Sequence, residues 1–314
     1  EDHERGCDLH KLVLRRLLSA LIVLIAVSAL LFGLSRLQGD PRLLYLSSAS
    51  QITREQWDEW GRQMGLDKPL AVQYLVWLKE TVKGNLGRSL VTNRPVLDSI
   101  KERLGATGQL ALGAWIFAML LGFPLGILSA VKRGTVFDYV GRIIALLGQA
   151  LPPFWVGIVL ILIFSVHFHL LPTGRRGGID HFIMPVVTLG WLPAAGMLRL
   201  MRSAMLDVLS SQYVVFARAK GVGGFSVIFK HALKNAFLPP LTYAGLILSG
   251  FLAGTVVTET VFSWPGLGRL AIDAVIQNDF PTVIGVVLLG TVFYVFVQLV
   301  VDISYGYIDP RIRY

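Results

Sequence analysis

Residues 211–221 read Ser-Gln-Tyr-Val-Val-Phe-Ala-Arg-Ala-Lys-Gly and form a polar, basic insert between two long apolar runs. The basic character continues in His231-Ala-Leu-Lys234-Asn235. Helix-forming residues that end in glycine predict a short helix followed by a break. In an otherwise apolar chain, such an insert favours a docking element for a soluble protein. The alternative is an amphipathic helix on the lipid surface, with its basic residues toward anionic headgroups.

The composition indicates that the bilayer is the solvent of this chain. Of its 314 residues, 54% are hydrophobic and 16% are charged, whereas soluble domains carry about 25% charged residues. The net charge of +9 does not predict nucleic-acid binding, because the basic residues form no single patch and no soluble domain is left to present one. The single cysteine excludes an internal disulfide.

The sequence predicts an all-α integral membrane protein with six transmembrane helices, each of which needs about 20 apolar residues. The fourth run is the shortest and is expected to continue past Arg199 toward Met205, with its arginines reaching the interface. Pro152-Pro153 is expected to kink the third run. The six charge-free runs lie between Arg16 and Arg36, Arg103 and Lys132, Arg142 and His167, His181 and Arg199, Lys234 and Glu259, and Asp279 and Asp302.

The distribution of Lys and Arg over the loops predicts that both termini are cytoplasmic. The two short outer loops hold only Arg175, Arg176 and Arg269. The segments that would face the cytoplasm hold Arg5, Lys11, Arg15, Arg16, Lys132, Arg133, Arg142, Arg199, Arg202, Arg218, Lys220, Lys230, Lys234, Arg311 and Arg313.

The spans and loops divide the chain into five segments. These are a polar N-terminal segment at 1–10, the first transmembrane helix at 11–35, a periplasmic helical segment at 36–103, a core of five transmembrane helices at 104–308 and a cytoplasmic tail at 309–314. Within the core, residues 204–238 form the cytoplasmic loop that carries the insert.

The outer segment contains helix signals of its own. Thr53 and Gln56 have capping-box spacing, and Gly65 could end the helix that they start. A second helix is expected from Leu70 to Val82, and Pro95 begins the run into the second span. This segment is either a small helical cap or a contact surface for a protein that delivers substrate.

The fifth run combines small and mildly polar residues with an acid at its outer end. The small residues either line a pathway or let helices pack closely. Glu259 is either functional, as ionisable residues near the membrane often are, or it pairs with a base or caps the next turn. Ser263-Trp264-Pro265-Gly266-Leu-Gly268 then has the proline and glycines of a re-entrant turn. The small and polar residues are Gly245, Ser249, Gly250, Gly254, Thr255 and Thr258.

Seven short motifs carry a family resemblance through their order and spacing over nearly the whole chain. They are Gly39-Asp40-Pro41, Gly65-Leu-Asp-Lys-Pro69, Ala130-Val-Lys-Arg-Gly134, Ala217-Arg-Ala-Lys-Gly221, His231-Ala-Leu-Lys-Asn235, Phe262-Ser-Trp-Pro-Gly-Leu-Gly-Arg269 and Asp309-Pro-Arg-Ile-Arg313. In these motifs the sequence resembles the permease subunits of binding-protein-dependent ABC importers, in the dipeptide/oligopeptide/nickel family.

The resemblance implies a type I ABC importer permease fold in the bacterial cytoplasmic (inner) membrane. The cytoplasmic loop departs from the family's general motif, because Val215 stands at the glutamate position and Leu233-Lys234 replaces a leucine-proline pair. The residues implied to couple to the ATPase are Ala217, Arg218, Ala219, Lys220 and Gly221. Those implied for the translocation pathway and its gate are Ser249, Gly250, Gly254, Thr255, Thr258, Glu259, Trp264, Pro265 and Gly266.

The resemblance also implies partners. The chain has no phosphate-binding loop, so we expect it to bind no cofactor and to rely on two separate ATPase subunits that hold ATP and magnesium. A second permease subunit and an extracytoplasmic binding protein are expected as well. Short peptides are the expected cargo, and nickel, a metal chelate or glutathione is the alternative.

Two other classes of function are disfavoured. A proton-coupled secondary transporter needs buried ionisable relays and usually inverted repeats, and neither is visible in the sequence. An intramembrane enzyme would show a His-Glu-x-x-His or Gly-x-Ser-x-Gly motif, and neither occurs. His167, His169 and His181 could be taken for metal ligands, but histidine is ordinary beside an interface loop, so no metal site is predicted.

Overall fold

The computed structural model describes residues 2–37, 53–63 and 65–308, without the side chains of 2–12, 56, 60, 63, 252–254 and 304–308. Gly39-Asp40-Pro41, the side chain of Gln56 and the tail 309–314 therefore lie outside the described residues. Within the described ranges the regular elements are all helices. The expected all-α class is confirmed for this part of the chain.

The helices follow one another closely along the chain. They are α1 Asp2–Leu37, α2 Arg54–Gln63, α3 Leu70–Val82, α4 Val96–Val131, α5 Val136–Ala150, α6 Pro153–Leu160 with a π-helical continuation Ile161–His167, α7 Ile179–Leu209, α8 Gln212–Ala219, α9 Gly224–Ser226 with a π-helical continuation Val227–Ala232, α10 Leu233–Ala236, α11 Leu238–Gly254, α12 Val256–Val261, α13 Leu267–Ile276 and α14 Phe280–Ile308.

Four helical stretches are long and apolar enough to cross a membrane, namely Val13–Leu37, Val96–Val131, Ile179–Leu209 and Phe280–Ile303. The bent pair α5 and α6 passes the same test only when both helices are taken together, and α11 contains the shorter apolar stretch Leu238–Phe251. Four or five spans are thus supported by length and composition among the described residues, and the count of six stays a prediction.

The break between α5 and α6 lies at the predicted proline pair. The two helices are bent by 104°. Leu151 is extended, with φ −91° and ψ 123°, because a residue before proline is pushed out of the helical region. Pro153 begins α6, where its missing N–H costs no helical hydrogen bond. The expected interruption at Pro152-Pro153 is confirmed, as a sharp bend rather than a modest kink.

Three other expectations about helix bounds are confirmed. α7 runs through Arg199 and past Met205 before it ends at Leu209. α3 has the predicted bounds Leu70–Val82. α2 begins directly after Thr53 and ends before Gly65.

The described chain divides into two compact units. The first comprises residues 1–13, 105–269 and 293–314, and the second comprises 14–104 and 270–292. In the second unit, Phe32 of α1 packs edge-on against Tyr74 of α3 with ring centroids 5.6 Å apart. The Tyr74 hydroxyl also bonds the Ser28 hydroxyl at 2.8 Å. Aromatic contacts and this hydrogen bond therefore hold α3 on α1.

Two buried apolar clusters pack the helices of the first unit together. One cluster joins α4, α7 and α11 and includes Trp264; its buried members are Ala106, Leu110, Ala111, Ala114, Val186, Leu189, Ile247, Phe251 and Trp264. The other joins α4 and α7 to the segment after α8; its buried members are Ala130, Met201, Met205, Ala232 and Ala236.

Candidate functional site

The helix α8 forms within the sequence-predicted insert, and a glycine ends it. The Val222 N–H donates to the Ala217 carbonyl at 3.2 Å, and the Gly221 N–H donates to the Arg218 carbonyl at 3.0 Å. This pair of bonds is the Schellman motif, which needs a left-handed residue directly after the helix cap. Gly221 supplies it with φ +80°. The expected break at Gly221 is therefore confirmed, and its cause is the left-handed backbone at this residue.

α8 has one fully buried side chain and one side-chain hydrogen bond to the segment that follows it. Val214 is fully buried, and the Asn235 side-chain amide donates to the Tyr213 hydroxyl at 2.9 Å. Ala232 and Ala236 then bury the later segment against α4 and α7. The insert is thus connected, through the segment that follows it, to the long helices α4 and α7.

The C-terminal end of the insert is exposed. Arg218, Ala219, Lys220 and Gly221 are exposed, while Ala217 is half-buried. Phe216 is 64% exposed. Large apolar side chains beside cations form a surface that a protein or an anionic membrane could cover. The geometry is thus compatible with both interpretations of the insert that the sequence left open.

A second cluster surrounds Glu259, which is 0% exposed. Its Oε1 accepts hydrogen bonds from the Thr107 hydroxyl at 2.7 Å and from the Thr255 hydroxyl. Its Oε2 accepts the Arg269 backbone N–H at 2.9 Å, near the start of α13, where the helix dipole favours an anion. The Thr107 hydroxyl in turn accepts the Leu267 N–H at 2.8 Å. The carboxylate therefore caps the next helix, which was one of the two alternatives for this acid.

Residues 263–268, hereafter the turn loop, fold back over this carboxylate. Gly266 has no room for a side chain, because an added Cβ would overlap the Glu259 carboxylate. The Trp264 indole N–H donates to the Ala106 carbonyl at 2.9 Å. From the loop before α7, the Arg175 N–H donates to the carbonyl of Phe262, directly before the turn loop, at 2.8 Å. Side chains and backbone thus fix the turn loop from both of these directions.

The remaining pathway candidates have different surroundings. Ser249 is buried, and its hydroxyl donates to the Gly245 carbonyl within α11 at 3.1 Å. Thr258 is buried, Pro265 is half-buried and Gly250 is exposed. The surroundings of Gly254 lie outside the described side chains. Of the candidates with a described environment, Gly250 alone is exposed in this single chain.

One buried ion pair was missed by the sequence reasoning. Asp138 in the first turn of α5 accepts from Arg202 of α7 through both carboxylate oxygens, at 2.8 and 3.1 Å. The Ser129 hydroxyl of α4 donates to it at 2.8 Å, and the Gly134 N–H donates at 3.0 Å. Four hydrogen bonds therefore join α4, α5 and α7 at one carboxylate. An acid in the first turn of a helix was the available signal, but its partner lies 64 residues away.

Thr107 was missed as well, and Asn235 was assigned only to a motif. A single threonine in an apolar helix gives no sign of its partner in the sequence.

Among the described side chains, no three His, Cys, Asp or Glu residues are grouped as metal ligands would be. The His181 Nδ1 instead lies 2.8 Å from the Gly174 carbonyl.

The chain was compared with known protein families and curated proteins. The family "Binding-protein-dependent transport system inner membrane component" matches residues 122–314, and its N-terminal companion family matches residues 9–111. The chain is 38% identical to the dipeptide transport system permease protein DppB of Escherichia coli K12, over 96% of this chain and 98% of that protein. It is 38% identical to the oligopeptide transport system permease protein AppB of Bacillus subtilis 168, over 96% and 99%. It is 40% identical to the glutathione transport system permease protein GsiC of Salmonella choleraesuis, over 96% and 98%.

The fold also has a solved counterpart. A chain from inward-facing conformations of the MetNI methionine ABC transporter aligns with a TM-score of 0.55 and 16% identity, over 67% of this chain and 96% of that chain. At this identity the likeness concerns the fold alone. The family matches and the nearly full-length relatives establish the rest: this chain belongs to the family of binding-protein-dependent transport system inner membrane components, as the sequence motifs predicted.

Proposed function

We propose that this chain is a permease subunit of an ATP-driven importer for short peptides. The observation that carries the proposal is 38% identity over nearly the full length of both DppB and AppB, which are named for dipeptide and oligopeptide transport. An extracytoplasmic binding protein would deliver the peptide. This chain and a second permease subunit would form the pathway, and two ATPase subunits would bind ATP and magnesium.

Residues 217–221 would couple this chain to one of the ATPase subunits. Their support is the geometry of α8, whose C-terminal end is exposed, while Val214 is buried and Asn235 of the following segment bonds Tyr213 of the helix. Because the base is packed on α4 and α7, a displacement of α8 would be passed to both helices. Closure of the ATPases would thereby change the orientation of the spans.

Both termini would lie in the cytoplasm, with six spans. The four long apolar stretches would supply the first, second, fourth and sixth spans. The bent α5–α6 pair would supply the third, and α11 with α12 the fifth. Residues 36–103 would then be periplasmic, and 204–238 would form the cytoplasmic loop.

The fifth span and the turn loop would border the pathway. Gly250 is exposed on α11, so it can contact cargo or the second permease subunit. The buried candidates Ser249, Thr255, Thr258, Glu259 and Trp264 would act by positioning, and Pro265 and Gly266 would shape the gate. Gly254 is proposed for the pathway on the family resemblance alone.

Reconstituted transport tests the proposed function. The complete importer, in proteoliposomes with its binding protein, should accumulate a labelled dipeptide when ATP is supplied and should not do so with a non-hydrolysable analogue. Accumulation that needs a proton gradient and no ATP would contradict the proposal.

Glutathione is the second candidate cargo, favoured by the 40% identity to GsiC. Excess unlabelled glutathione should leave dipeptide uptake unchanged if short peptides are the cargo. Glutathione uptake that the dipeptide fails to inhibit would assign the importer to glutathione instead.

A further inference from the structure

Thr107 uses one hydroxyl twice at the turn loop. It is 1% exposed, it donates to Glu259 at 2.7 Å and it accepts the Leu267 N–H at 2.8 Å. A hydroxyl can do both at once because it has one donor and two acceptor lone pairs. Thr107 therefore links α4 both to the end of α12 and to the start of α13.

The carboxylate of Glu259 is the acceptor at the centre of this hydrogen-bond network. Its three donors are two hydroxyls and one backbone N–H. Hydrogen bonds to a buried charge are stronger than those between neutral groups, and each lost donor leaves the charge less satisfied. The oxygens accept from α4, from Thr255 and from the start of α13, so in this arrangement they are already occupied by the protein.

The turn loop is held in a conformation that needs such support. Ser263 has φ +49°, a region that non-glycine residues rarely occupy unless their surroundings impose it. The Trp264 indole bonds the Ala106 carbonyl, which adjoins Thr107 in the chain. Two hydrogen bonds of the turn loop, from Trp264 and from the Leu267 N–H, thus reach one turn of α4.

We propose that Thr107 and Glu259 are positioning residues that hold the turn loop on α4, so that movement of this loop requires their hydrogen bonds to open. The role is distinct from contact with cargo and from proton transfer. It rests on the proposed function only where the turn loop is called a gate; the position of the loop itself can be measured without transport.

The experiment reports the position of the loop through one cysteine. Ser263→Cys is introduced into a Cys7→Ser background, which removes the single native cysteine. The importer, with its partner subunits, is placed in nanodiscs, where both membrane faces are open to a soluble maleimide. The labelling rate is then measured with Glu259→Gln or Thr107→Val added. No ATP, cargo or assumed orientation is required, so a negative result here and a failure of peptide transport are distinguishable.

Both added variants should raise the labelling rate by about tenfold or more, the effect of losing one hydrogen bond to a buried charge. Together they should raise it little further than either alone, because both disrupt the one hydrogen-bond network that links α4, Glu259 and the start of α13. Thr107→Ser keeps the hydroxyl and should restore slow labelling. Thr260→Val is the matched control, because Thr260 is exposed and its hydroxyl bonds the Val256 carbonyl of its own helix; the backbone bond from the Ser263 N–H to the Thr260 carbonyl is kept in this variant, so the labelling rate should be unchanged.

A transport readout completes the test. In proteoliposomes, Glu259→Gln and Thr107→Val should increase the ATP hydrolysed per peptide imported, whereas Thr107→Ser should not. Unchanged labelling in assembled Glu259→Gln and Thr107→Val importers would overturn the proposal. An equal rise with Thr260→Val would overturn it too. Failure of both variants to assemble would show that the cluster is needed for folding rather than for holding the loop, and would also count against it.

Discussion

Gly221 determines where α8 ends, because only its left-handed backbone completes the Schellman bonds. An added Cβ at Gly221 would meet nothing within 4 Å. Gly221→Ala should therefore destabilise the insert through backbone strain alone, by about 1 kcal/mol. Thermal unfolding of the purified importer, followed by light scattering and tryptophan fluorescence, measures the change.

Gly223→Ala is the matched control for this prediction. Its Cβ would also meet nothing within 4 Å, but its φ of −59° suits any L-residue. We expect Gly223→Ala to leave the melting temperature unchanged or slightly higher. Equal losses at both glycines would show that the end of α8 does not depend on the left-handed residue.

The contact between α5 and α7 depends on the Asp138–Arg202 pair. Asp138 is 2% exposed in its side chain and Arg202 is 22% exposed, so the pair is largely desolvated. Removing one partner of such a pair leaves an uncompensated charge, which costs about 3 kcal/mol when burial is complete and less here. Asp138→Asn should therefore lower the melting temperature of the importer clearly. Asp207→Asn, at an exposed position of α7, should change it little.

Arg202→Lys separates charge from geometry in the same contact. Lysine keeps the charge but cannot bind both carboxylate oxygens in a planar fork. We expect Arg202→Lys to lower the melting temperature of the importer, but by less than Asp138→Asn does. A value equal to that of the unmodified importer would mean that the two-oxygen contact contributes nothing beyond its charge.

Local patterns in the sequence predicted the elements but not the contacts between distant ones. Leu70–Val82, the end of α8 at Gly221 and the break at Pro152-Pro153 follow from residues close together in the chain. The Thr107–Glu259 bond spans 152 residues. A threonine in an apolar helix and an acid at a helix end are each common, so only the fold shows that they meet.

At the scale of the whole molecule, the exposed helix α8 is connected to the long helices α4 and α7. α8 offers Arg218, Ala219 and Lys220, and its base reaches α4 and α7 through Ala232 and Ala236. A surface helix that only rested on lipid would tolerate an acid at its exposed end with a modest loss of membrane affinity. A helix seated in a protein pocket would not, because a buried unpaired charge opposes docking.

The first measurement is retention of the ATPase subunits by an importer that carries Ala219→Asp. Ala219 is exposed and lies inside α8, so this change avoids the backbone strain that Gly221→Asp would add. Ala219→Ser is the control for size and polarity without charge. We predict that the Ala219→Asp importer inserts into the membrane but loses the ATPase subunits on affinity purification and loses ATP-dependent peptide uptake. The Ala219→Ser importer should keep both the ATPase subunits and the uptake. Full retention and undiminished uptake with Ala219→Asp would contradict it.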